Sequence, residues 1–96
     1  PAVTTTSISG INSTGATSGG NVTSNGNSTI TARGVCWSTS TNPTVDLTTK
    51  TDDGSGTGSY TSIISGLTPN TTYYVRAYST NSVGTVYGNQ VSFLTN

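Results

Sequence analysis

The sequence predicts an all-β fold, a seven-stranded antiparallel Greek-key sandwich formed by one domain spanning residues 1–96. Three observations carry this. Short runs of β-branched and aromatic residues alternate with period 2, as half-buried strands do. Gly-, Asn- and Pro-containing turn signals separate those runs at intervals of roughly 8–12 residues, the spacing of a sandwich. No stretch carries a helical period.

The strongest run is Leu67–Tyr78. Pro69 has no N–H to give a ladder, so the strand begins after it. Tyr73, Val75 and Ala77 then alternate with Tyr74, Arg76 and Tyr78, and the charge marks the second set as the outer face. A tyrosine at the start of such a strand can bury its ring and turn its hydroxyl back to the preceding loop, tying a sandwich corner.

The other elements follow in order. Residues 1–10 read as an edge strand through Val3, Thr5 and Ile8, ended by Gly10. Ala16, Ser18, Gly20 and Val22 make a second strand with very small inward side chains. The sheets must close in there, or large residues opposite must fill the space. Asn25-Gly26 signals a hairpin turn. Ile30–Ser38 is the third strand, with two readings. Either Ile30, Ala32, Gly34 and Cys36 face inward and Arg33, Val35 and Trp37 outward, or a bulge at Gly34 switches the faces. The first is favoured because it places Arg33 beside Arg76 and Tyr74 on the neighbouring strand. Pro43 interrupts the loop after it, and Val45–Thr51 forms a short edge strand. The glycine-rich turn 52–58 leads to Tyr60, Ser62 and Ile64, inward on a strand that Gly66 stops. After Tyr78, residues 81–84 turn the chain into Thr85–Leu94, where Val91 and Phe93 face inward and Gly88 marks a bulge.

Composition limits the function more than it defines it. Thr, Ser, Asn and Gly make up about three-fifths of the chain, which suits thin strands and many turns. Charged residues are 6% with zero net charge, so there is no electrostatic footprint for nucleic acid or an anionic membrane. No apolar run is long enough to insert in a bilayer, and no signal peptide is visible. The single Cys36, framed by Val35 and Trp37, reads as a small buried hydrophobe. A surface this poor in charge and rich in hydroxyls and amides points to the outside of cells.

Catalysis finds no residues. There is no His, which removes Ser–His and Cys–His pairs. The acids are Asp46, Asp52 and Asp53, and the last two share a turn that reads as solvated. Their spacing does not match a calcium loop, and no transition-metal set exists, so no cofactor and no metal are expected. The one contact surface the pattern offers is Tyr74, Arg76 and Tyr78 beside Arg33 and Trp37. Such rings and guanidinium groups could stack on a glycan or a partner, or on one another as cover for a thin sheet. Asn-x-Ser/Thr sequons at Asn12, Asn21, Asn27 and Asn70 are expected by chance in so Asn- and Thr-rich a chain.

Leu67-x-Pro69-x-Thr71-x-Tyr73-x-Val75-x-Ala77, with Arg33–Ser38, Thr72–Tyr78 and Tyr87–Phe93, resembles a bacterial variant of the fibronectin type III family over nearly the whole chain. The usual tryptophan of the second strand is missing, and Trp37 stands on the third instead. The integrin-binding Arg-Gly-Asp is absent, since Arg33-Gly34 continues with Val35. The resemblance implies strands one, two and five of the seven in one sheet and the rest in the other. It also implies a tandem module of secreted or surface proteins, as in Bacteroidetes-like bacteria. With strands close to both ends, the expected function is a structural module or subunit of an extracellular stalk, adhesin or filament. Its partners would be neighbouring copies of the same domain, docked head-to-tail, with polysaccharide as a further partner. The alternative is an accessory spacer or carbohydrate-binding module of a secreted polysaccharide-degrading enzyme.

Overall fold

The computed structural model describes residues 2–45 and 49–96. Six strands form two antiparallel three-stranded sheets: β1 (Ala2–Thr5), β2 (Ala16–Ser24) and β4 (Gly58–Ile64) in the order β1-β2-β4, and β3 (Ala32–Ser38), β5 (Thr72–Asn81) and β6 (Gly84–Leu94) in the order β3-β5-β6. Among the described residues there is no helix. The sheet membership matches the expectation, but the described residues form six strands rather than seven. The strand expected at 45–51 lies partly outside the described residues, and its described end makes one isolated bridge, Lys50 to Cys36.

The core between the sheets is small. Val3, Ala16, Val22 and Ile64 on one side meet Val35, Trp37, Val75, Ala77 and Phe93 on the other. Tyr60 spans the gap. Its hydroxyl donates to the carbonyl of Gly34 at 2.6 Å, with that of Tyr78 at 3.3 Å. Gly20 is what admits the ring, because a Cβ there would lie 2.6 Å from Tyr60 Oη and 2.8 Å from Ala77 Cβ. The space that the small side chains of β2 leave is therefore filled by Tyr60 of β4, the neighbouring strand of the same sheet.

Two further ties hold the ends. Tyr73 stacks on Phe93 with centroids 5.9 Å apart, and its hydroxyl accepts the N–H of Thr68 at 2.9 Å, closing the corner before β5. The pairing of β5 with β6 shifts between Arg76 and Tyr78, where Gly88 and Asn89 stand opposite Ala77. This bulge strands the Ala77 N–H, and Thr5 of β1 satisfies it at 2.9 Å. The same Thr5 hydroxyl donates to Asn89 O at 2.5 Å, and the Thr5 N–H donates to Asn89 Oδ1 at 3.1 Å. Gly88 permits the approach, since a Cβ would come within 2.7 Å of Thr5 Oγ1.

Two local expectations are corrected. Ser28 N–H donates to Asn25 O, and Gly26 and Asn27 both have positive φ (61° and 65°), the geometry of a type I′ turn. It makes no hairpin, because β2 and β3 lie in different sheets. The faces of β3 are also inverted. Val35 pairs with Ala77 and Trp37 with Val75, all in the core, so Arg33, Val35 and Trp37 face inward while Gly34, Cys36 and Ser38 face outward. The charge of Arg33 misled: its stem lies inside and its head leaves at the sheet's end, over the Tyr60 ring at 5.1 Å.

Gly20→Ala is expected to destabilise the fold by about 1–3 kcal/mol through overpacking. Tyr60→Phe is expected to cost about 1–3 kcal/mol through its lost interior hydrogen bond. Because the added methyl would meet the phenolic oxygen itself, the double variant should cost less than the sum. Urea denaturation of the three variants checks this, and strict additivity would argue against a shared contact.

Candidate functional site

The five residues that the sequence singles out do not form one surface. Trp37 is buried in the core. Arg33, also on the inner side, is committed to the turn before β4, donating to the carbonyls of Asp53, Gly56 and Thr57 at 3.1–3.3 Å. Tyr74, Arg76 and Tyr78 do share the outer face of β5, but the chain covers much of it with its own loop. Tyr78 is 4% exposed and its hydroxyl donates to Thr51 O.

Arg76 is the centre of that cover. Its guanidinium lies 4.1 Å from the centroid of the Tyr87 ring, which arrives on β6 opposite Tyr78. Nε and Nη2 both donate to Pro43 O, at 3.0 and 2.7 Å. The Cys36 thiol points at the same oxygen from 3.4 Å. The loop is pinned on either side of Pro43: Asn42 N–H donates to Gln90 Oε1 at 2.6 Å, and Val45 N–H to the Tyr87 hydroxyl at 3.1 Å. Tyr87 and Gln90 are the members of this cluster that sequence reasoning missed. The signal available was register, since both fall on the face of β6 that pairs with Tyr78 and Arg76.

Farther along, the loop crosses the free edge of β3. Thr51 N–H donates to Val35 O at 2.8 Å, and the backbone comes so close over Gly34 that only glycine fits. Asp53 then turns inward, its Oδ2 accepting the hydroxyls of Ser62 and, at 2.7 Å, Thr51. This carboxylate fastens the loop to β4. Among the described residues no group of three or more His, Cys, Asp or Glu side chains could hold a metal ion.

An open cleft of about 260 Å³ lies at the other end of the β1-β2-β4 sheet, between residues 10–17 and 63–66. Its polar wall is Asn12, Thr14, Thr17 and Ser65. Its apolar rim is Ile63, a large hydrophobic side chain left 65% exposed. It lies below the roughly 300–1,000 Å³ of sites that swallow a drug-sized molecule, so it suits one small group or the end of a longer ligand. No ionisable side chain lines it, which favours an uncharged ligand.

Burial pushes the Cys36 thiol up to about 11 against the opposing charges of Arg76 and Lys50, so it is a poor nucleophile. Burial, with the charges of Asp52 and Asp53, raises the Tyr78 phenol to about 12. Tyr60 is raised further, by burial and then by Asp53 and Tyr78.

No family model matches the chain, and no curated protein matches it. Among solved structures it is similar to the sensor domain of the anti-sigma factor RsgI4 of Pseudobacteroides cellulosolvens, with a TM-score of 0.64 and 20% identity over 98% of this chain and 74% of that one. At this identity the likeness is one of fold. It nevertheless overturns the expectation of a stalk, adhesin or filament subunit. That expectation rested on family analogy and on the position of the outer strands, and the matching fold serves a sensor domain of a signalling protein. No helix among the described residues is long and apolar enough to cross a membrane.

The lowered acidities carry a pH prediction. A thiol or phenol that is harder to ionise when folded loses protons first in the unfolded chain, so stability falls as pH rises. The contribution of Cys36 should be complete below about pH 9 and lost by about 11, and that of Tyr78 should be lost between about 10 and 12. Urea midpoints measured from pH 7 to 12 should stay flat and then decline through this window. Tyr78→Phe should flatten the upper part, and an unchanged slope in that variant would reject the assignment.

Proposed function

We propose that the domain is a sensing module: it binds a ligand outside the cell and passes on its occupancy, and it performs no catalysis. The observation that carries this reading is the fold shared with an anti-sigma-factor sensor domain across 98% of the chain. The open, uncharged cleft at 10–17 and 63–66 supports it as the place of recognition, since small-molecule sites are concave and mix an apolar wall with a few convergent polar groups. The absence of His from the sequence and the weakened acidity of the Cys36 thiol fit binding better than chemistry. We also read the sandwich as fibronectin-type-III-like, on the Tyr73 corner and the two sheet orders.

A chimera tests the function. This domain replaces the sensor domain of an anti-sigma factor, and a reporter driven by the cognate sigma factor is followed across a panel of uncharged soluble compounds and polymers. An active compound should raise or lower the reporter and move the amide resonances of Gly10, Thr14, Thr17 and Gly66 together. Thr17→Arg, which fills the cleft, should abolish both effects. A flat reporter with no cleft amide moving across the panel removes the reading.

A further inference from the structure

The face on which Tyr74, Arg76, Tyr78 and Tyr87 meet looks like a binding surface that already holds something, and what it holds is the chain itself. Pro43 is fully buried against it. Its carbonyl oxygen sits where an external acceptor would, in the guanidinium fork of Arg76, with the Cys36 thiol as a third donor. A fork that gives two N–H groups to one acceptor, backed by an aromatic ring at 4.1 Å, is a recognition geometry rather than general cover.

The way this strap is held is unlike the rest of the molecule. Among the described residues, no backbone–backbone hydrogen bond joins residues 39–45 to a strand. The links to the sheet are side-chain bonds, from Arg76, Cys36, Gln90 and Tyr87. Asn42, directly before the proline, has a φ of 56°, a left-handed conformation that a residue with a side chain adopts at a cost. Beyond the strap, at 49–53, ordinary backbone bonds to β3 resume. A segment with few backbone bonds and local strain opens at a free energy well below that of global unfolding.

We propose that residues 39–45 are a displaceable strap acting as a built-in competitor, and that the surface beneath it recognises a proline-containing peptide through its proline carbonyl. Arg76 is the acceptor-binding residue, Tyr87 backs its guanidinium, and Gln90 takes the N–H of the residue before the proline. The sequence of the occupant is on the chain: Ser40-Thr41-Asn42-Pro43-Thr44-Val45. A partner segment of the same chemistry gains the contacts that the strap gives up, and its apparent affinity is reduced by the fraction of molecules in which the strap is open. This goes beyond the open cleft and does not depend on it.

The test uses the blocked peptide acetyl-Ser-Thr-Asn-Pro-Thr-Val-amide as the probe, titrated by calorimetry and amide spectra. The strap-released variant, Asn42→Pro, can neither take the positive φ nor donate to Gln90 Oε1, and it should bind the peptide at least tenfold more tightly than the parent protein. Arg76→Lys in the released background should return binding to the parent level, because lysine keeps the charge but not the fork. A released variant that folds and ignores the peptide, or binds it equally with Arg76→Lys, overturns the proposal. Should the released variant fail to fold, hydrogen exchange of the parent protein decides. The amides of Asn42 and Val45 should be at least tenfold less protected than that of Val75. Equal protection, with exchange only through global unfolding, would mean the strap is a fixed part of the fold.

Discussion

The fold depends on one side chain that crosses it. A sandwich with so few large apolar residues cannot close by burial alone, since the stabilising term scales with the apolar area removed from water. Tyr60 contributes a large ring to the space over Gly20 and carries its hydroxyl through to the Gly34 carbonyl of the other sheet. Burial and a satisfied polar atom come from one residue, which is how aromatic hydroxyls are tolerated inside proteins. The spacing of the sheets, the identity of residue 20 and the position of β3 all follow from it. Arg33 then lies over the same ring and fastens the turn that leads into β4.

Hydroxyl groups take over elsewhere the role that aliphatic side chains have in larger cores. Thr5 joins β1 to the β5–β6 bulge with three hydrogen bonds through its backbone N–H and its hydroxyl. Thr95 accepts the Thr71 N–H and donates to Thr68 O, steadying the corner that Tyr73 closes. Ser62, fully buried, donates to Asp53. Each such bond adds only about 1 kcal/mol net, yet leaving one of these interior groups unpaired would cost more. The high threonine and serine content is thus partly interior chemistry and not only a wet skin. Among the described residues, Ser79 Oγ is the buried exception, with no partner.

Two places depart from this framework. The cleft beside Ile63 is open and uncharged, and the Arg76 face is occupied by the chain's own proline. Both lie where the backbone departs from its ladders, the cleft around the turns at 10–15 and 65–66 and the strap at 39–45. Recognition is concentrated in such segments because a rigid sheet positions them without constraining their sequence.

The sequence by itself determined the strands. Period-2 patterning located β2, β4, β5 and β6, and it placed Tyr60, Ser62 and Ile64 inward and Gly88 at a bulge, because alternation and turn chemistry are local properties of the backbone. It also singled out Arg76 and Tyr74 as outward, which the register confirms. Tertiary structure decided what local pattern could not carry. Arg33 lies inward although charged, because a long stem can bury while its head leaves at the sheet's end. Gly34 and Cys36 are small on the outside of β3 because Thr51 and Pro43 of the following loop pass over them, a contact that strand alternation does not encode. The turn at 25–28 has hairpin chemistry, but its flanking strands belong to different sheets, and no turn encodes which partner a strand will find. For the same reason the aromatic face was legible as residues and not as a site: whether it stands open depends on where Pro43, 33 residues before Arg76, comes to rest.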